Sequence, residues 1–151
     1  MITAQIESFT ASLPEFKPLF PLHWEELALE KDKVPLDPQY NIYEFKESMD
    51  ELLFVTLRED GIPIGYFIGF IAPGLHYKTC LTCNMDIFWL HPEKRGNSTG
   101  AVLFNFVEKE LKRRGVDRWF VGSKCHLDAS WMFERLNFER VEVYYSKWLG
   151  E

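Results

Sequence analysis

No apolar run in the 151-residue chain reaches the roughly 18–20 residues that a membrane span requires, so no membrane association is expected. Basic residues are in the minority: 17 Lys and Arg against 23 Asp and Glu give a formal net charge of −6. A nucleic-acid binder presents a basic face to phosphates, so no nucleic-acid partner is expected and a nucleobase-modifying role is the weakest of the readings. Cysteine is scarce as well. Three of them, an odd count in a chain long enough to bury its own core, make no disulfide framework and suit a reducing cytoplasm. The opening stretch MITAQIESFTASLPEF lacks a basic start followed by an apolar run, so no secretory leader is expected. No repeat, low-complexity tract or linker divides the chain, which predicts one domain over residues 1–151.

What is present is a globular composition, 46% hydrophobic and 16% aromatic, rich enough to exclude disorder. Pro14, Pro18 and Pro21 break up the start of the first helical region, so a helix is expected only from about Leu22, through LHWEELALE. After a proline-bearing loop, KDKVPLDPQY, a short second helix is predicted with Ile42, Phe45 and Met49 on one face. ELLFVTLRED and IPIGYFIGFIA then read as two strands joined at Asp60-Gly61, a hairpin signal. A third strand follows from Thr82 to Leu90. Strict alternation would put Cys83, Met85, Ile87 and Trp89 on one face, and Thr82, Asn84, Asp86 and Phe88 on the other.

From Ser98 to Arg114 the period is helical, with Leu103, Val107 and Leu111 stacked and Phe104 and Phe106 widening the stripe. Cations fill its last turn, and Gly115 stands at the left-handed cap position. VDRWFVGSKC reads as a strand, LDASWMFERL as a helix capped by Asp128, and ERVEVYYSKWL as a closing strand. The order predicts an α/β fold of the α+β kind, built on a mixed sheet.

The segment HPEKRGNSTG, His91 to Gly100, lies where a strand meets a helix N-terminus. The first backbone N–H groups of a helix lack partners there, and the helix dipole favours negative charge. Gly96 and Gly100 permit close backbone approach, and Ser98 and Thr99 can cap the helix or donate to phosphate oxygens. The loop is therefore a candidate pyrophosphate cradle, against the alternative of a capped turn that binds nothing.

The same residues resemble the acetyl-coenzyme A signature of the GNAT superfamily of N-acetyltransferases, Arg/Gln-x-x-Gly-x-Gly/Ala. Arg95 takes the first place and Gly100 the last, with Ser98 in place of the middle glycine. WLHP is similar to the family's strand end, and CHLDASWMFERLNF to its second helix and closing Leu-Gly-Phe. The likeness runs from about Leu52 to the C-terminus. It is nearest to small members encoded by phages and prophages, on LHY, on Asp86 and on ELKRRGV. It implies a twisted, mostly antiparallel central sheet flanked by helices. The splay between the strand ending at Leu90 and the strand ending at Lys124 would admit the pantetheine arm.

The implied activity is acetyl transfer from acetyl-coenzyme A to a primary amine of a small molecule or protein, with no metal and in the host cytoplasm. Relatives often form homodimers. Two departures from the pattern stand out: Phe133 occupies the place where many members carry a tyrosine as general acid, and Asn137 replaces the usual glycine. Asparagine tolerates the left-handed conformation, so the helix stop is expected to survive. The first departure keeps a second reading open, a catalytically silent member acting through protein contacts.

Asp86, expected on a polar strand face among apolar neighbours that raise its pKa, is the candidate general base. Tyr144 and Tyr145, alternating on the closing strand, are candidates for the missing proton donor. For the cofactor the candidates are Leu90 and His91, the run Arg95, Gly96, Asn97, Ser98, Thr99 and Gly100, and His126, which stands where relatives often have asparagine. His76, Tyr77 and Asn84 are candidates for the acceptor site. His23, beside Trp24, reads as a packed or surface histidine. The Cys80-x-x-Cys83 pair invites a zinc reading. A closed site needs four ligands, however, and only the adjacent Cys125-His126 remain, so no metal is expected. Those two neighbours make no catalytic dyad either.

Overall fold

A computed structural model describes residues 1–151. Strand β1 (Ile2–Ile6) is followed by helix α1 (Phe9–Phe16), a 3₁₀ turn (Lys17–Leu19), α2 (Phe20–Leu27) and α3 (Tyr40–Ser48). Strands β2 (Leu52–Glu59), β3 (Ile62–Pro73) and β4 (Leu81–Leu90) come next, then α4 (Thr99–Arg113), β5 (Arg118–Phe120) and α5 (Ser130–Arg135). The sheet runs β1-β2-β3-β4-β5, antiparallel through β4 and parallel between β4 and β5. It is the mixed sheet flanked by helices that the sequence predicts.

Strand β2 shows why the sheet is covered on both sides. Its side chains alternate, and both sets are apolar. Leu53, Val55 and Leu57 join Leu103, Phe104 and Val107 of α4 on one face. Leu52 and Phe54 join Phe9, Phe16 and Phe20 on the other. Each side chain so buried contributes roughly 1.5–3 kcal/mol. Helix α4 matches its periodicity: Leu103, Val107 and Leu111 are buried, and it ends at Gly115, φ 79°, where Val116 N–H bonds Leu111 O at 3.0 Å. Asp60 and Gly61, at φ 50° and 85°, make the β2–β3 turn. Asn137, φ 66°, stops α5 as expected, and Asp128 Oδ1 accepts from Ser130 N–H at 3.0 Å to start it.

Four expectations are corrected. The N-terminal residues form β1 and α1, because Pro18 and Pro21 sit in first turns that need no N–H, so prolines punctuate the helices without excluding them. Helix α3 exposes Ile42, Phe45 and Met49 and packs Tyr40 and Tyr43 inward instead. The closing strand is not formed: residues 139–151 carry no regular structure, and Tyr144 and Tyr145 are 86% and 92% exposed. Finally, β4 does not alternate strictly. Ile87 pairs with Ile68 and Met85 with Gly69, so Asp86 is the extra residue of a β-bulge. Met85 and Phe88 consequently pack on the α4 side, and Ile87 and Trp89 on the side of α1 and α2.

Candidate active site

The bulge at Asp86 coincides with a second break. Strand β5 pairs with β4 only from Thr82 to Asn84, so from Met85 to Leu90 that edge of β4 has no partner strand. His91 N–H bonds Ile64 O on β3 at 2.7 Å. Backbone groups alternate along a strand, so those of Leu90 face the opposite, open edge. Leu90 O is taken there by Arg95 Nε at 3.0 Å, which leaves Leu90 N–H directed into the opening.

The loop from His91 to Gly100 closes the wide end of this opening. Asn97 rather than Ser98 or Thr99 caps α4: its Oδ1 accepts from Thr99 N–H at 2.9 Å and from the Thr99 hydroxyl at 2.5 Å. Ser98 stays exposed, and Thr99 is buried. The N–H groups of Gly96, Asn97, Ser98, Gly100 and Ala101 meet no protein acceptor, a cluster of donors at a 15-residue helix N-terminus. Gly96 turns the loop at φ 82°. Gly100 has a different reason to be small: a Cβ there would lie 2.6 Å from Met132 Sδ, so this glycine lets α5 pack against α4.

The Arg95 side chain is committed to the protein. Its guanidinium forks onto Glu26 of α2 at 2.5 and 2.9 Å, and Glu26 also accepts from Trp89 Nε1 at 3.0 Å. Arg95 therefore ties the loop to α2 and holds the Glu26 carboxyl below its ordinary pKa. His126 Nε2 reaches the Glu26 carbonyl at 3.1 Å, and the His91 ring caps the turn at Glu93 N–H, 3.2 Å away.

On the α1–α3 side of the bulge an open cavity of about 430 Å³ reaches Asp86. Tyr43 of α3 donates to Asp86 Oδ2 at 2.6 Å. That helix is held in place by Glu47, which accepts from Phe9 and Thr10 N–H at the start of α1. Asp86 keeps contact with solvent through the cavity mouth. Enough protein surrounds it, however, for burial to raise its pKa, against the opposing effect of the Tyr43 hydrogen bond. Burial also keeps Tyr43 protonated and pushes the His23 imidazole down to about 4, so His23, 2.6 Å from the Tyr66 hydroxyl, is neutral at pH 7. Of the packed and surface readings that the sequence leaves open, the packed one holds.

The remaining candidates lie elsewhere. His76 and Tyr77 occupy the exposed β3–β4 loop, at the end of β4 away from the loop at Gly96, and Tyr77 stacks on Arg118, 5.3 Å from its ring centroid. Asn84 is exposed on β4 where that strand still pairs with β5. Tyr144 and Tyr145 have no sheet to alternate in. Phe133 is buried against Phe88, Phe104 and Phe138, so that position serves the core and offers no proton. Cys83 is buried, which raises its thiol to about 12, and no three His, Cys, Asp or Glu residues are gathered as for a metal ion. Sequence reasoning missed Glu26, Tyr43 and the bulge. Only the apolar context of Asp86 hinted at the site they build.

The profile of the acetyltransferase (GNAT) family matches residues 16–138. The chain belongs to this family. No curated protein sequence matches it significantly. Among solved structures, a ribosomal-protein-alanine N-acetyltransferase from Brucella melitensis biovar Abortus superposes with a TM-score of 0.72 at 15% identity, covering 99% of this chain and 100% of that one. An aminoglycoside acetyltransferase from an uncultured soil metagenomic sample gives 0.76 at 12% identity, covering 99% of each. A "predicted acetyltransferase with acetyl-CoA" from Clostridium acetobutylicum gives 0.71 at 12%, covering 99% and 97%. At such identities the likeness carries the fold, and the family match carries the membership. No helix is long and apolar enough to cross a membrane.

Proposed function

We propose that this GNAT-family protein is an acetyl-coenzyme A-dependent N-acetyltransferase acting on a primary amine. One juxtaposition carries the reading: an open strand edge with unpartnered donors at its wide end and a carboxylate of raised pKa at its narrow end. The unpartnered N–H groups of Gly96, Asn97, Ser98, Gly100 and Ala101 suit a pyrophosphate, and Leu90 N–H suits the carbonyl beyond it. The cofactor supplies the activated acetyl thioester. Asp86 accepts the proton of the acceptor ammonium, and Tyr43 orients that carboxylate. Arg95, through Glu26, fixes the loop. Neither Tyr144 nor Tyr145 has a role in this scheme.

The test is a thermal-unfolding scan with and without acetyl-coenzyme A at about 1 mM, followed by thiol release with an amine panel. A ligand at ~100 times its Kd adds about 2.7 kcal/mol, a shift of roughly 5–11 °C at this chain length. No shift at any concentration, or an equal shift with adenosine or free phosphate, would sink the reading.

A further inference from the structure

The cavity that reaches Asp86 has a chemistry of its own. Phe20, Trp24, Tyr40 and Tyr43 wall it with rings. At its rim, on the loop between α2 and α3, stand Leu29, Val34 and Leu36, respectively 50%, 43% and 39% exposed. Apolar side chains left open at a cavity mouth lose nothing when an apolar ligand covers them, and they offer no partner to a polar one.

The charges are as selective. Among the lining residues the carboxylates are Asp86 and Asp37, and the only cationic side chain is Lys124; His23 is neutral at pH 7. Two negative groups against one positive leave a single net negative charge, which matches one ammonium. A polyamine or aminoglycoside would press further ammonium groups against leucines and Lys124, where each is desolvated without a partner. From these walls and this charge balance we infer that the acceptor is a small apolar monoamine, with an aryl or branched alkyl body in the cavity and its amino group at Asp86.

The inference rests on the acetyltransferase reading and narrows its substrate class. In the reaction a C–N bond forms as the thioester C–S bond breaks. The ammonium gives up two protons, one through Asp86 to solvent and one to the departing sulfur. Aromatic faces and Asp86 receive the ammonium before it is deprotonated.

The experiment uses 2-phenylethylamine, spermidine and kanamycin in parallel, reading thiol release with acetyl-coenzyme A and calorimetric binding to the coenzyme A-loaded protein. Acetylation of 2-phenylethylamine with kcat/KM about tenfold or more above either polycation is expected. Leu36→Lys, a rim substitution on an exposed loop, is expected to lower that value while keeping the acetyl-coenzyme A thermal shift. Preference for spermidine or kanamycin would overturn the acceptor class and leave the acetyltransferase reading standing. Selective binding of 2-phenylethylamine without thiol release would uphold the pocket's ligand class and overturn its use as an acceptor. An unchanged kcat/KM for 2-phenylethylamine in Leu36→Lys would overturn the cavity as the seat of the acceptor.

Discussion

Replacing Asp86 by Asn keeps the size of the side chain and an oxygen that can accept from Tyr43, and removes only the ability to take a proton. A general base contributes ~10²–10⁴-fold, about 2.7–5.4 kcal/mol of barrier. The surrounding rings argue for a large effect, because burial raises the Asp86 pKa and so strengthens the base. The pH dependence follows. Only the carboxylate form works, so the wild-type rate climbs as pH rises through that raised pKa, while the Asn variant shows no such limb.

Stability moves the other way. An acid whose pKa is raised by folding holds its proton more tightly in the folded state. Its contribution is therefore greatest at low pH and is lost as pH rises above the unfolded value. At pH 7 the partly desolvated charge is a cost that Asn removes, so Tm of the variant is expected to rise. The assay is thiol release from pH 4 to 9 alongside unfolding scans with acetyl-coenzyme A. A variant within about threefold of wild-type kcat, with its acidic limb intact, would refute Asp86 as the base.

Two further outcomes are expected. Glu26→Gln leaves Arg95 and Trp89 with a neutral partner and loosens the loop, so KM for acetyl-coenzyme A rises more than kcat falls in steady-state assays. On the opposite edge of the sheet, Arg58 bonds Glu7 and holds its carboxyl at about 2, with Thr56 among its further donors. That stabilisation is complete above the ordinary carboxylate range and is lost as pH falls from about 4.5 toward 2, so Glu7→Gln is expected to flatten the loss of Tm on acidification.

Much of the scaffold could be read from residue order. The apolar stripe of α4, the turn at Asp60-Gly61 and the caps at Gly115, Asp128 and Asn137 are local, so neighbours in sequence suffice to specify them. The anion-competent loop at Gly96 was legible for the same reason, since a helix start advertises its own unpaired donors.

Other features depended on what each segment meets. Whether ERVEVYYSKWL becomes a strand depends on an edge to pair with, and periodicity alone put it in the sheet. The inward face of α3 is decided by Glu47 docking on α1, not by the apolar spacing of Ile42, Phe45 and Met49. A bulge adds one residue and reverses every later side chain on its strand. No composition rule announces it, yet it brings Ile87 to the cavity beside Asp86. Residue order was enough for the fold class, the donor-bearing loop at Gly96 and the acidic candidate at Asp86. Tertiary contacts alone set Arg95 on Glu26 and Tyr43 on Asp86 and open a cavity walled by aromatic rings before it. Those are contacts between residues some 40 to 70 positions apart, and no local pattern encodes them.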